Sequence, residues 1–107
     1  MKRVVAFAEA SSTIGSGHLV RTSQLLSCLD TKKFEIEFYC NYEQMPEWLN
    51  KIKHKKIDSD TFFKLNLEDY DLLIFDSYKN REKLESIDKN VLLLDDYSFM
   101  DSKYIPN

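Results

Sequence analysis

Apolar residues in this chain fall into short runs separated by stretches of helical period, and the two kinds alternate from one end to the other. "KRVVAF", Lys2 to Phe7, is a β-branched run bounded by small polar residues and reads as a first, buried strand. From His18 the period changes. Leu19, Thr22, Leu25 or Leu26 and Leu29 recur at helical spacing, with Arg21 and Gln24 off that face, so a helix starts at the preceding turn. "FEIEFYC", Phe34 to Cys40, alternates apolar with acidic positions, the pattern of a half-exposed strand near a sheet edge. In "MPEWLNKIK" Pro46 suits a first helical position, with Trp48, Leu49 and Ile52 on one side of a short helix. Lys55 to Leu67 carries the weakest pattern and is read as a short third strand near Ile57 and a loop holding "DSD". "DLLIFDSY", Asp71 to Tyr78, is an apolar strand with a polar end, "REKLESI" a short amphipathic helix, and "NVLLLDDY" a further apolar strand.

Strands apolar on both faces and separated by helical segments predict an α/β fold: a doubly wound, mainly parallel, Rossmann-like sheet covered by helices on both sides. Right-handed crossovers in such sheets place the first strand beside the one that opens the second half, and ligands bind in the crevice beyond their carboxyl ends. Three polar constellations should meet at that edge. They are the loop after the first strand, "EASSTIGSGH" from Glu9; "DSY", Asp76 to Tyr78; and "DDY", Asp95 to Tyr97.

Composition narrows the classes. At 107 residues with 43% hydrophobic and 31% charged content, one globular domain is expected. A formal net charge of −3 favours neither nucleic acid nor an anionic membrane as partner. The apolar run Val4 to Ala8 is too short for a secretory signal core of roughly 7–15 residues, and no segment is long enough to span a bilayer. With Cys28 and Cys40 in no metal or redox spacing, the expectation is a reduced, cytoplasmic chain whose cysteines serve packing.

Candidate chemistry concentrates at "ASSTIGSGHLVR". The chain has 2 glycines where average usage would give roughly seven, and both stand here, at 15 and 17. Glycine admits φ > 0 and close ligand approach, and a helix starting at Gly17 would aim unpaired N–H groups into the crevice. His18 would project from the same lip, where a neutral imidazole could accept a proton. The alternative stays open: a tight strand-to-helix turn with His18 as a capping or core residue. A dinucleotide fingerprint lacks its third glycine, since Val20 stands there, and no phosphate loop of the G-x-x-x-x-G-K type exists. Ser11, Ser12 and Ser16 lack a nucleophile elbow and read as loop hydrogen-bonders. Asp58 with Asp60, or Asp95 with Asp96, could hold magnesium only with help from a substrate phosphate, so no metal and no cofactor is expected. "KIKHKK", Lys51 to Lys56, reads as a solvated helix end.

In order and spacing, "AEASSTIGSGHLVRTSQLL", "DLLIFDSY" and "VLLLDDY" resemble the N-terminal half of the UDP-sugar hydrolases of pseudaminic acid biosynthesis, and the related spore-coat polysaccharide proteins, which are glycosyltransferase-like. The resemblance covers essentially the whole chain. It implies the first of the two Rossmann-like domains of a GT-B fold, with His18 as the catalytic residue that activates the water displacing UDP from the anomeric carbon with inversion. Tyr78 matches a tyrosine near the sugar, and Gly15, Ser16, Gly17, Asp76, Asp95 and Glu9 are implied to line the substrate. The partners implied are a UDP-sugar and a second GT-B domain, which supplies most UDP contacts and for which residues 1–107 hold no counterpart. One departure stands out: the family often reads R-x-D where this chain has Phe7-Ala8-Glu9, so the arginine is lost and the acid lengthened. Two other readings follow from the same residues. One is a glycosyltransferase domain in which His18 deprotonates an acceptor hydroxyl, the other a truncated, non-catalytic binding module.

Overall fold

The computed structural model describes residues 2–10, 17–77, 81–87 and 90–93. Five strands form one sheet in the order β3-β2-β1-β4-β5, where β1 is Lys2–Glu9, β2 Phe34–Asn41, β3 Lys55–Lys56, β4 Leu72–Asp76 and β5 Asn90–Leu93. All four pairings are parallel. The chain winds outward from β1 to β3 and then returns to β1's other side with β4, which is the order of a Rossmann-like α/β domain. The expected fold class is therefore the observed one.

The two faces of the sheet are covered by different parts of the chain. Helix α1, Gly17–Ser27, lays Leu19 and Leu26 on Val4, Ala6, Ala8, Phe38, Cys40 and Ile74. The opposite face carries Val5, Phe7, Leu73, Phe75 and Val91, packed by Phe62, Leu67 and Leu84. Alternation along β1 thus sends neighbouring residues to opposite cores, which explains why its run Val4 to Ala8 is apolar without interruption and 0% exposed. On the second face Phe7 sits in an aromatic cluster, its ring centroid 5.1 Å from that of Phe62 and 5.6 Å from that of Phe75.

Several local expectations shift. Strand β1 runs two residues beyond Phe7 because Ala8 and Glu9 still pair with Cys40 and Asn41. Pro46 is extended (ψ 140°) and caps a 3₁₀ turn, Glu47–Lys51, so it precedes the helical residues instead of opening them. The bonds from Leu49 N–H to the Pro46 carbonyl and from Ile52 N–H to the Leu49 carbonyl tie off its two ends, and the turn drops Leu49 into the core. "DSD" is not a loop. Asp58 caps the short helix α2, Ser59–Phe62, its carboxylate accepting from the Thr61 N–H at 2.7 Å. Of "KIKHKK", Lys51 does end the 3₁₀ turn, but Lys55 and Lys56 form the edge strand β3, where lysines discourage further pairing. Residues 81–86 form the short helix expected there, of 3₁₀ type. Cys40 is buried as expected, but Cys28, just past α1, is exposed instead of buried. Among the described residues no helix is long and apolar enough to cross a membrane.

Strand β2 is second from the edge, yet β3 covers only Tyr39 and Cys40, so its outer side is open from Phe34 to Phe38. This is why its pattern alternates apolar with acidic.

Candidate functional site

The sheet order sets β1 against β4 at the point where the winding reverses, and their carboxyl ends are in register, Ala8 opposite Asp76. Asp76 ends β4 with its side chain 0% exposed. Alternation after Phe75 turns it toward α1, and three residues of one helix face, His18, Arg21 and Thr22, meet it there.

A carboxylate offers about four lone-pair positions, and the donors of α1 fill them. Arg21 forks across both oxygens, Nε to Oδ2 at 2.7 Å and Nη2 to Oδ1 at 2.6 Å. The Thr22 hydroxyl donates to Oδ2 at 2.9 Å, and His18 Nδ1 lies 2.8 Å from Oδ1. Among the described residues, four donor atoms meet the Asp76 carboxylate, and the bidentate arginine fixes its plane. His18 Nδ1 also lies 3.1 Å from the main-chain carbonyl of Asp76, and both of these oxygens are acceptors. Nδ1 must therefore carry a proton. In the neutral ring this leaves the lone pair on Nε2, the arrangement in which a carboxylate orients a histidine for proton transfer.

The imidazole does not project from the lip of the crevice. Its side chain is 3% exposed, drawn inward by the bond to Asp76. Gly17 opens α1 as expected, but no left-handed φ is needed there, because its backbone is helical. A Cβ at Gly17 would meet nothing within 4 Å among the described residues, so neither strain nor crowding by them requires glycine.

At the same edge, Glu9 (3% exposed) accepts a hydrogen bond from the Ser77 hydroxyl, with Ser77 0% exposed. Continuing the alternation of Val5 and Phe7 puts Glu9 on the sheet face opposite α1. The carboxyl edge thus holds two buried polar pairs, His18 with Asp76 on the α1 side and Glu9 with Ser77 on the other. Phe7 is a core residue, its ring packed beside those of Phe62 and Phe75. Gly15, Ser16, Tyr78 and Asp95 lie outside the described residues.

No protein-family model, curated protein or solved structure matches the chain.

Arg21, Thr22 and Ser77 were not among the residues singled out from sequence. The signal for the first two was present: they stand three and four residues after His18, the spacing that shares one helix face. Reading Thr22 as part of the apolar stripe and Arg21 as solvent-directed hid it. Elsewhere, a groove of about 650 Å³ between α2 and the 81–86 turn is lined by Phe63, Lys64, Leu65, Asn66 and Lys83, none of them residues of the His18 cluster. Among the described residues no group of three or more His, Cys, Asp or Glu side chains could hold a metal ion.

Proposed function

We propose that this domain is the histidine-bearing half of a GT-B nucleotide-sugar hydrolase, removing UDP from an amino sugar destined for a nonulosonic acid. The observation that carries the reading is the contact of His18 Nδ1 with the Asp76 carboxylate, 2.8 Å long, at the winding-reversal point of a Rossmann-like sheet. Such a pair supplies a general base whose tautomer is fixed. His18 Nε2 takes a proton from water as the water oxygen attacks the anomeric carbon. The bond from that carbon to the diphosphate oxygen breaks, and its electron pair leaves with UDP. Free sugar, UDP and one proton result, the proton passing from His18 to solvent. Burial of the imidazole limits bulk water around it, and the N-terminus of α1 at Gly17 adds a positive dipole end beside the leaving diphosphate. The UDP moiety is held mainly by a second Rossmann-like domain, as the resemblance implies.

The test joins this chain to the second domain of a member of the resembled family and follows UDP release. His18→Asn should leave folding and UDP binding intact and lower turnover at least about 10²-fold, the usual size of a general-base contribution. Unchanged turnover would remove His18 from the mechanism. UDP release only in the presence of a sugar acceptor would make the domain a glycosyltransferase instead.

A further inference from the structure

Arg21 and His18 share one oxygen of Asp76. Arg21 Nη2 lies 2.6 Å and His18 Nδ1 2.8 Å from Oδ1, while Arg21 Nε holds Oδ2 at 2.7 Å. A carboxylate beside an imidazole ordinarily draws a second proton onto the ring, because the anion stabilises imidazolium. That outcome would disable a base. Here the anion already faces a permanent cation, and the cation stands one helical turn from the ring on the same side of α1.

We infer that Arg21 is a positioning residue that keeps His18 in its neutral, Nδ1-protonated form by neutralising the Asp76 carboxylate and orienting it at the same time. The inference rests on the proposed role of His18 as a base and adds what holds it in the basic form. The arginine side chain is 29% exposed, so the guanidinium reaches Asp76 from the solvent side and bears its charge without full burial. Its planar fork explains why arginine and not lysine suits the position, since only the fork can occupy both carboxylate oxygens and still leave Oδ1 open to Nδ1. Among the described residues, the charged groups that meet the ring or its carboxylate partner are Arg21 on α1 and Asp76 at the end of β4. Glu9 is tied to Ser77 on the opposite sheet face. Arg21 is the cation in this set. Removing it takes that positive charge away from the carboxylate beside the histidine.

The experiment follows the His18 ring nitrogens by NMR through a pH titration of the 107-residue chain and needs no substrate. Arg21→Gln should raise the His18 titration midpoint by about one pH unit or more relative to the unsubstituted chain, a tenfold gain in proton affinity. Arg21→Lys, which keeps the charge and loses the fork, should hold the midpoint near the original value while broadening the Nδ1 signal. If the lone Asp76 charge unfolds Arg21→Gln, the comparison moves to Asp76→Asn against Asp76→Asn with Arg21→Gln. The double variant should again titrate about one unit higher, because only the cation differs. A midpoint that stays or falls when Arg21 is replaced in a folded chain overturns the inference. It leaves the hydrolase reading to be judged separately by turnover.

Discussion

Two carboxylates in this domain are each met by an arginine and by hydroxyl groups, and they have opposite characters. Asp76 lies at the carboxyl end of β4 with 0% side-chain exposure, and Arg21 meets both of its oxygens. Glu37 lies within β2, on the strand's open outer stretch, with its side chain 32% exposed. It accepts from the Tyr70 and Tyr39 hydroxyls and from Arg3 Nη2 at 3.4 Å. Arg3 divides itself: it also reaches Glu35 at 3.8 Å and the Asp69 carbonyl at 3.4 Å, and it lies over the Tyr70 ring at 4.6 Å. The Tyr70 hydroxyl, more than any other neighbour, holds the Glu37 carboxyl below the ordinary range against the opposing effect of burial, with Tyr39 and Arg3 adding to it. Burial first, and then its bond to the Glu37 anion, pushes the Tyr70 phenol upward. The lesson is that composition does not distinguish the two. Water still reaches the Glu37 cluster, so its charges can spread over several partial contacts that pin strand to strand. Asp76 is shielded from bulk solvent, so its lone pairs are met by protein donors, which α1 brings. A fully satisfied buried anion that also grips a histidine is a costlier arrangement than stability alone requires.

The largest expected contrast comes from deleting each acid. Asp76→Ala leaves Arg21, Thr22 and the His18 N–H facing an apolar void and should cost about 3 kcal/mol, the lower end of the range for breaking a buried ion pair because Arg21 can turn to solvent. Glu37→Ala should cost about 1 kcal/mol, the size of a partly exposed pair. Urea unfolding of both variants checks the ratio, and equal losses would erase the distinction between the two centres.

A smaller effect sharpens the Glu37 side. Its folded carboxyl titrates below its ordinary value of 4.5, so its contribution is fully present above that value and is lost as pH falls through the lower, folded one. Tyr70→Phe removes the largest cause of that depression. The variant should be less stable than the unsubstituted chain by about 1 kcal/mol at neutral pH, the net worth of one hydrogen bond. The gap should narrow as pH falls below about 4.5. A gap independent of pH would mean that the hydroxyl acts through packing and not through the carboxylate.

How much of this was legible depended on the range of the interaction. Strands β1, β4 and β5 announce themselves because parallel strands buried on both faces are continuous apolar runs, as in Val4 to Ala8. The short elements did not. Strand β3 has two residues, too few to carry a period, and α2 has four, its only local signal being Asp58 ahead of Thr61. The carboxyl-edge placement of Glu9, His18 and Asp76 followed from topology. The donor set on Asp76 did not, because Arg21 lies 55 positions from its partner and looks solvent-directed by helical period alone. Glu37 and Tyr70, 33 positions apart, were hidden for the same reason. The need for glycine at 17 was overstated, since a helix start uses ordinary φ.

The central claim is that sugar-nucleotide chemistry belongs to the carboxyl edge and not to the Glu37 cluster, and backbone NMR on the 107-residue chain tests it directly. A UDP-linked acetamido sugar added to millimolar concentration should shift the amides of residues 17–22 and 76–77 and leave Glu37, Tyr39 and Tyr70 unmoved. The free acetamido sugar should give the same pattern more weakly, and Asp76→Asn should reduce it. Shifts centred on Glu37 and Tyr70, or no shift at 17–22 and 76–77 at that concentration, would contradict the account.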